Sequence, residues 1–409
     1  MAASSQPPPT LTGLLDLPDD LQRHILLRVL CKIDRVSMCL VCKAWRAALA
    51  RLEVEAPLPH PLPSLLLPTS FPDGATRVVC IAHGFRVHHF LTITPPGASL
   101  FGSHDGAWLF LRYGGRRGHQ VRDLPAELLR WSDPDVHSMV ILAATLSCSP
   151  DDPNCVVAAI VAAWKGRDPA PGAVAVAPLP PIHRCSAFWR MGSARAIEIP
   201  LDATQASYNV EDVAYHEGSF HFLIANVTDH ILLCTPTINP TGNLVTEWGS
   251  LRFHPAQHAY DDQYARARYL LKSRGKLLLV VRFKRLPNQP WTSAFKVFAA
   301  TERKMPDADD ANFPVAEFPC YWSELGTLGG RMLFVGYGCS RSYEVDQYPG
   351  FKDGIYFLDD GVFYETAALL GSGNVYPCSD NGKWYDGHVH RCFPRSEPSA
   401  YSPPAWLLP

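Results

Sequence analysis

Turn glycines recur at a near-constant step through most of this chain. Gly218, Gly275, Gly330 and Gly382 are separated by 57, 55 and 52 residues, and Gly106 precedes Gly218 by 112, about two steps. The turn Asp152-Pro153-Asn154 falls roughly midway in that double step. Alternating apolar and aromatic sequence follows each glycine, beginning Ala107-Trp108, Ser219-Phe220, Lys276-Leu277, Arg331-Met332 and Lys383-Trp384. A unit in the fifties holds several short strands, a small antiparallel sheet whose faces need neighbours to cover them. Dividing the 333 residues of 77–409 by ~55 predicts about six such units arranged radially, an all-β propeller. A pair of β-sandwiches is the rival, and it needs no shared period.

The same region carries β-rich runs between turn residues: Arg86–Thr94, Ala107–Tyr113, Ser138–Leu146, Val156–Trp164, Ser219–Ala225, Lys276–Phe283, Ala294–Ala299, Arg331–Gly336 and Ile355–Leu358. The C-terminal run Ala400–Leu408 is placed to pair with the first strands near 77–82 and close a ring. A hydrophobic content of 47% with 19% charged residues is that of a folded globular chain. Prolines outnumber glycines, 37 to 28, which favours turns over long helices.

Several function classes recede on charge and hydropathy. A net charge of -2 supplies no pull toward nucleic acid or an anionic membrane. The longest apolar run, Cys155–Trp164, is half of what a bilayer-spanning helix needs. Met1–Pro9 lacks the basic and apolar segments of a secretory signal. The 12 cysteines are therefore expected as reduced thiols in cytoplasm or nucleus, several of them packed as small hydrophobes. Asn226-Val227-Thr228 fits a glycosylation acceptor, but only by chance if no secretory route exists.

Ahead of the β region lies a helical stretch, Leu17–Leu49. Pro18 suits a first helical position, and Asp19 and Asp20 suit the positive end of the helix dipole. Leu21, Ile25 and Val29 recur at steps of four, with Leu26 and Leu30 widening the stripe and Leu27 off it. Asp34 fits an N-cap for a second run in which Val36, Leu40 or Val41, and Trp45 repeat at helical spacing. Two or three short helices cannot bury this much apolar surface among themselves. The surplus must meet either the chain's own larger domain or another protein.

The order Leu17-Pro18-Asp19, Ile25-Leu26, then Val41-Cys42-Lys43-Ala44-Trp45-Arg46 resembles the F-box over roughly 14–52. Ser37 stands where many F-boxes have a basic residue. The resemblance implies docking onto the Skp-type adaptor of a cullin-RING ubiquitin ligase through Leu17, Pro18, Leu21, Ile25, Leu26, Leu30, Val41, Cys42 and Trp45. A second resemblance rests on Trp322-Ser323-Glu324-Leu325-Gly326 through Gly336, Tyr348-Pro349-Gly350-Phe351-Lys352-Asp353-Gly354-Ile355-Tyr356-Phe357, Tyr269–Leu278, Phe295–Phe298 and Pro403-Pro404-Ala405-Trp406. These look like a plant family with an N-terminal F-box and a KIB-type β-propeller, although Gly354 replaces the family's more usual cysteine. The expected architecture is thus a small all-α F-box followed by an all-β propeller of about six blades. Its parts are a disordered N-terminus over 1–12, the F-box over 13–52, a proline-rich linker over 53–72 and the propeller over 73–409.

No motif demands chemistry. Cys39-Leu40-Val41-Cys42 has the gap of a redox or zinc pair, but no second pair follows and the run is helical, so packing explains it better. His388-Val389-His390 with Cys378 and Cys392 reads as a solvated hairpin before a metal site, and His88-His89 point to opposite faces of a strand. Gly336-Tyr337-Gly338 lacks the third glycine and the helix of a nucleotide loop, and is a turn. Asp309-Asp310 and Asp359-Asp360 are acidic turn pairs. Arg112–Arg122 is a basic hairpin, and Arg266–Arg285 alternates like a half-exposed strand. No cofactor, metal, nucleic acid or membrane is expected. The expectation is a non-catalytic receptor subunit that holds an unspecified client protein near the ligase. A propeller scaffold with an intramolecular helical cap, and a propeller enzyme with a site in its central channel, are the alternatives.

Overall fold

The computed structural model describes residues 17–55, 61–68, 76–89, 98–105, 108–113, 118–121, 136–165, 183–191, 197–198, 210–224, 227–255, 260–289, 291–304, 312–360, 376–399 and 402–409. The expected disordered N-terminus, Asp309-Asp310, Gly106, Asn226 and, of the basic run Arg112–Arg122, Arg116, Arg117 and Arg122 lie outside these residues.

The helical unit has three helices: α1 (Asp19–Arg28), α2 (Lys32–Val41) and α3 (Lys43–Glu55). Pro18 is the N-cap of α1 rather than its first helical residue, and its carbonyl accepts from the Gln22 N–H at 3.0 Å. Cys31, not Asp34, caps α2, which leaves the Asp34 carboxylate in the first turn where the dipole favours it. The extended backbone of Cys42 (φ -158°, ψ 170°) ends α2 and separates Trp45 into α3.

Among the described residues, the strands beyond the helices form six sheets. Sheet I holds β1 (Ser64–Pro68), β2 (Thr76–Cys80), β3 (Arg86–His89) and the last strand, β24 (Ala405–Leu407). Sheet II holds β4 (Ala98–His104), β5 (Trp108–Tyr113) and β6 (Gly118–Val121). Sheet III has β7 (Val136–Leu146), β8 (Val156–Lys165), β9 (His183–Arg190) and β10 (Ile197–Glu198). Sheet IV has β11 (Val210–His216), β12 (Ser219–Ile224), β13 (Val227–Ile238) and β14 (Leu244–Arg252). Sheet V has β15 (Ala265–Ser273), β16 (Lys276–Lys284), β17 (Thr292–Glu302) and β18 (Cys320–Glu324). Sheet VI has β19 (Arg331–Val335), β20 (Arg341–Glu344), β21 (Gly354–Phe357), β22 (Gly382–Tyr385) and β23 (His388–His390).

An apolar seam joins each sheet to the next, and the sixth to the first. Leu66 and Val78 meet Leu100 and Leu109 between sheets I and II, and Phe110 meets Ile141 and Val157 between II and III. Phe188 and Phe220 lie 5.7 Å apart between III and IV, Leu223 and Ile231 meet Leu279 and Trp322 between IV and V, and Phe295 and Phe357 lie 5.2 Å apart between V and VI. Phe334 of sheet VI packs 5.3 Å from Trp406 of sheet I. Six faces covered in rotation make a closed propeller, the solution that removes exposed sheet faces.

β24 closes the ring by pairing with β1, which itself pairs with β2. The closure expected from Ala400–Leu408 therefore occurs one strand earlier than residues 77–82. The segment read as a linker over 53–72 is also partly propeller: Leu65, Leu66 and Leu67 are fully buried in β1. Pro61, Pro63 and Pro68 sit before the strand and at its last position, where a missing N–H costs the ladder little.

The glycine period marks one structural place. Gly218, Gly275 and Gly330 each stand just before the second strand from the axis, β12, β16 and β19. In Glu217-Gly218, Arg274-Gly275 and Asp386-Gly387 both residues have positive φ, the two-residue hairpin geometry that matches strand twist. Gly382 breaks the rule, because β22 lies in the same sheet as β19. Sheet VI is entered at its second position, so β19 and β21 run parallel, unlike every other named pair.

Second strands are covered on both faces. β8 contains the longest apolar run for that reason, and Arg282 of β16 is fully buried, not half-exposed. Asp359 and Asp360 are likewise no surface turn: Asp360 accepts from the Tyr269 hydroxyl at 2.8 Å and from Arg282 Nη1 at 3.2 Å. Burial pushes the thiols of Cys155, Cys234 and Cys378 up to about 12, as expected of cysteines that act as small hydrophobes.

One buried histidine gives the fold an acid-sensitive point. His221 on β12 lies 5.5 Å from His216, ring to ring, and burial, helped by that neighbour, pushes its imidazole down to about 4. The unfolded chain takes this proton near 6.5, so the group's contribution is complete above that pH and is lost as pH falls toward 4. Lowering the pH from about 7 to about 5 removes about 2 kcal/mol through His221 alone. In His221→Gln the fall in Tm over that interval is expected to be smaller than in wild type; equal falls would contradict the assignment.

Candidate functional site

Two surfaces are candidates for a functional site. The first is on the helical unit. Leu26, Trp45, Ala48 and Leu52 form its core, with Leu17, Ile25, Met38, Cys42 and Leu49 packed around them. This core holds α1 and α3 together and leaves other apolar side chains outside. Leu40 is 73% exposed, Val41 61%, Val36 52% and Leu21 45%.

The nine residues read as adaptor contacts therefore divide. Pro18, Leu21 and Val41 are on the surface, while Leu17, Ile25 and Cys42 are half-buried at the rim of the core. Leu26 and Trp45 are inside, 0% and 4% exposed, and support the helices rather than face a partner. Leu30 turns the other way and packs on the apolar cluster at the seam between sheets I and VI that includes Leu62, Phe393 and Trp406. Val36 and Leu40, one turn apart on α2, are exposed as well. Their signal is the i, i+4 step along α2, which the sequence pattern runs on into Trp45 although Cys42 breaks the helix between them.

The second surface is at the propeller axis. β24, β4, β7, β11, β15 and β20 are the axial strands, one from each sheet, and touch in succession from β24 to β20. The turn at Gly336–Ser340 crosses between them, as the Cys339 N–H donates to the Gly336 carbonyl at 3.0 Å. Gly338 lies so close to β7 that a Cβ there would stand 2.5 Å from the Ala144 carbonyl oxygen, and its φ is +70°. Asp212 locks the crossing: its carboxyl accepts from the N–H groups of Gly338 and Leu270 at 2.7 Å each, and from Val213 at 2.8 Å. Burial pushes this carboxyl well up from the ordinary range, against those three backbone donors.

Beside that turn lies a cavity of about 440 Å³ lined by His104, Asp105, Tyr215, Lys272, Gly338 and Arg341, among others. Arg341 Nε donates to Asp105 Oδ1 at 2.9 Å, so those two charges offset each other across the rim. Burial first, then Arg341, push His104 down to about 4, which keeps it neutral at physiological pH. The rim thus offers neutral donors and acceptors with one lysine. His388 and His390 lie exposed on the β23 hairpin, as a solvated turn would have them.

Three helices with uncovered apolar surface, set before a closed ring of sheets, define an F-box-headed propeller. The family model for the KIB1-4 beta-propeller matches residues 58–384, and that for the F-box domain matches 14–55. The chain belongs to the KIB1-4 beta-propeller family and carries an F-box domain at its front. Searches among curated proteins and solved structures found no match. An F-box with a propeller is the general arrangement of a substrate receptor of SCF-type ligases, and such domains are typically interaction modules. Among the described residues no helix is long and apolar enough to cross a membrane.

Proposed function

We propose that this protein is the receptor subunit of an SCF-type cullin-RING ubiquitin ligase. Its helical unit docks a Skp-type adaptor through the patch formed by Leu21, Val36, Leu40 and Val41, and its propeller presents a client protein. The observation that carries this reading is the exposed apolar surface itself. Val36, Leu40 and Val41 of α2 stand exposed, as do Leu21 and Leu27 of α1, on a unit whose core is already complete without them, and exposed apolar surface of this kind marks partner surfaces. The chain makes and breaks no bonds in this role; it raises the effective concentration of client lysines near the ubiquitin conjugate. Such ligases act in the cytoplasm or nucleus, where thiols stay reduced.

Mixing the purified full-length chain with a Skp-type adaptor is expected to yield a one-to-one complex on size-exclusion chromatography. Separate elution of the two proteins would overturn the reading and favour a scaffold whose helices are only an intramolecular cap. The cap reading accounts for Leu30, which packs on the propeller, and for the first turn of α2, where Asp34 meets His83, but not for the exposed Val36, Leu40 and Val41.

A further inference from the structure

We propose that Cys31, Asp34, His83 and His88 form a binding site for a divalent transition-metal ion of the zinc class, between the helical unit and sheet I. The four come from three separate places. Cys31 caps α2 and Asp34 lies in its first turn; His83 ends the short 3-10 turn Ile81–His83; His88 is on β3. Their ligand atoms nevertheless all lie within 4.8 Å of one another. Cys31 Sγ is 3.6 Å from His88 Nε2, and Asp34 Oδ2 is 2.9 Å from His83 Nδ1.

The donor set decides the class of ion. One thiolate and one carboxylate balance a dication, and two neutral imidazoles complete a tetrahedral shell of the sulfur, nitrogen and oxygen ligands that zinc prefers over calcium or magnesium. Bonds of about 2.0–2.3 Å place the atoms of such a shell about 3.3–3.8 Å apart, so the widest pair has about 1 Å to close. The Cys80 thiol is hydrogen-bonded with Cys31 and gives a thiolate ligand the outer partner it needs. Cys31 is buried and His83 exposed, so the pocket has a dry wall and an open mouth through which an ion enters.

The site lies where the helical unit meets the propeller, next to the contact made by Leu30. An ion there pins the first turn of α2 to β3 and fixes the angle between the two parts. This assignment stands on geometry and does not depend on the ligase reading.

The test uses the full-length chain, stripped with EDTA, desalted and titrated with zinc chloride. One ion per chain by mass spectrometry of the desalted protein, with a rise in Tm, is the expected result. Loading with cobalt(II) is expected to give a thiolate-to-metal charge-transfer band that Cys31→Ser abolishes and Cys80→Ser retains. His83→Ala with His88→Ala, two side chains that are not in the core, is expected to weaken zinc binding about a hundredfold or more while the metal-free Tm stays as in wild type. Uptake well below one ion per chain, zinc affinity unchanged in the double histidine variant, or a charge-transfer band that survives Cys31→Ser would each overturn the proposal.

Discussion

Trp45→Ala is expected to unfold the helical unit and leave the propeller standing. The indole is 4% exposed and fills the space between Leu26 of α1 and Ala48 and Leu52 of its own helix. Truncating it leaves a cavity of ring size, a loss of about 3–5 kcal/mol. A three-helix unit of so few residues has little stability of its own to spend against such a loss. Adaptor binding should disappear together with the amide protection of α1 and α3 in hydrogen exchange, while the exchange of β7, β12 and β16 stays slow. Retained adaptor binding, or helices still protected in the variant, would contradict the placement of Trp45 as core. The distinction matters for interpreting mutants: this substitution abolishes binding by removing the platform, not a contact.

Asp380→Ala should destabilise the propeller by about 3 kcal/mol, because it takes the nearer of two carboxylates from a buried cation and leaves it only Asp360. Asp380 accepts from Arg282 Nη2 at 2.7 Å, from the Thr292 hydroxyl at 2.6 Å and from Arg391 Nη1 at 2.5 Å. Arg282 has no exposure, and its remaining donors reach the Leu358 carbonyl at 2.6 Å and the Tyr269 hydroxyl at 3.0 Å, with its guanidinium 4.7 Å over the Phe357 ring. Burial pushes the Asp380 carboxyl up, yet Arg282, Thr292, Arg391 and Arg266 outweigh it and hold it below the usual carboxylate range. The network ties β16 and β17 of sheet V to the segments that follow β21, so its loss opens one seam of the ring. Denaturant unfolding of wild type, Asp380→Ala and Asp380→Asn measures this. The amide variant keeps part of the hydrogen bonding and should lose less. A loss below about 1 kcal/mol in Asp380→Ala would show that the network is not what holds the seam.

The propeller was legible in the sequence because its signal is local and repeated. A two-residue turn before each second strand uses Gly218 and Gly275 at positive φ, so the spacing of those turns is the spacing of the sheets. The period over-reads once, at Gly382, where sheet VI takes a second strand after a glycine. It also omits sheet I, which is assembled from residues 64–89 and 405–407 and so has no single place in the repeat. The total of about six is reached although neither event could be read from spacing. β1 hid among prolines, whose composition speaks of a linker while the burial of Leu65, Leu66 and Leu67 makes it a strand.

What the sequence concealed is long-range pairing. Arg282 and Asp380 are 98 residues apart, Asp212 and Gly338 are 126 apart, and Cys31 and His88 are 57 apart. An arginine in an alternating strand and an aspartate before Asn381-Gly382 each have a sound local explanation, and only the fold joins them. The helices show the opposite failure. Their apolar periodicity was plain, but a stripe does not say which of its members faces inward. Trp45 and Leu26 look like the most eager contact residues on hydrophobicity alone and are the ones already spent on the core.

The claim on which the function rests is that the outer face of α2 is a partner surface. The most direct measurement is calorimetric titration of a Skp-type adaptor into full-length wild type and Leu40→Asp with Val41→Asp, with Tm recorded on the same samples. Both side chains are exposed, 73% and 61%, so Tm should be unchanged while adaptor affinity falls about a hundredfold or more, as expected for charges placed in an apolar contact. Undiminished affinity in a variant with wild-type Tm would contradict the account.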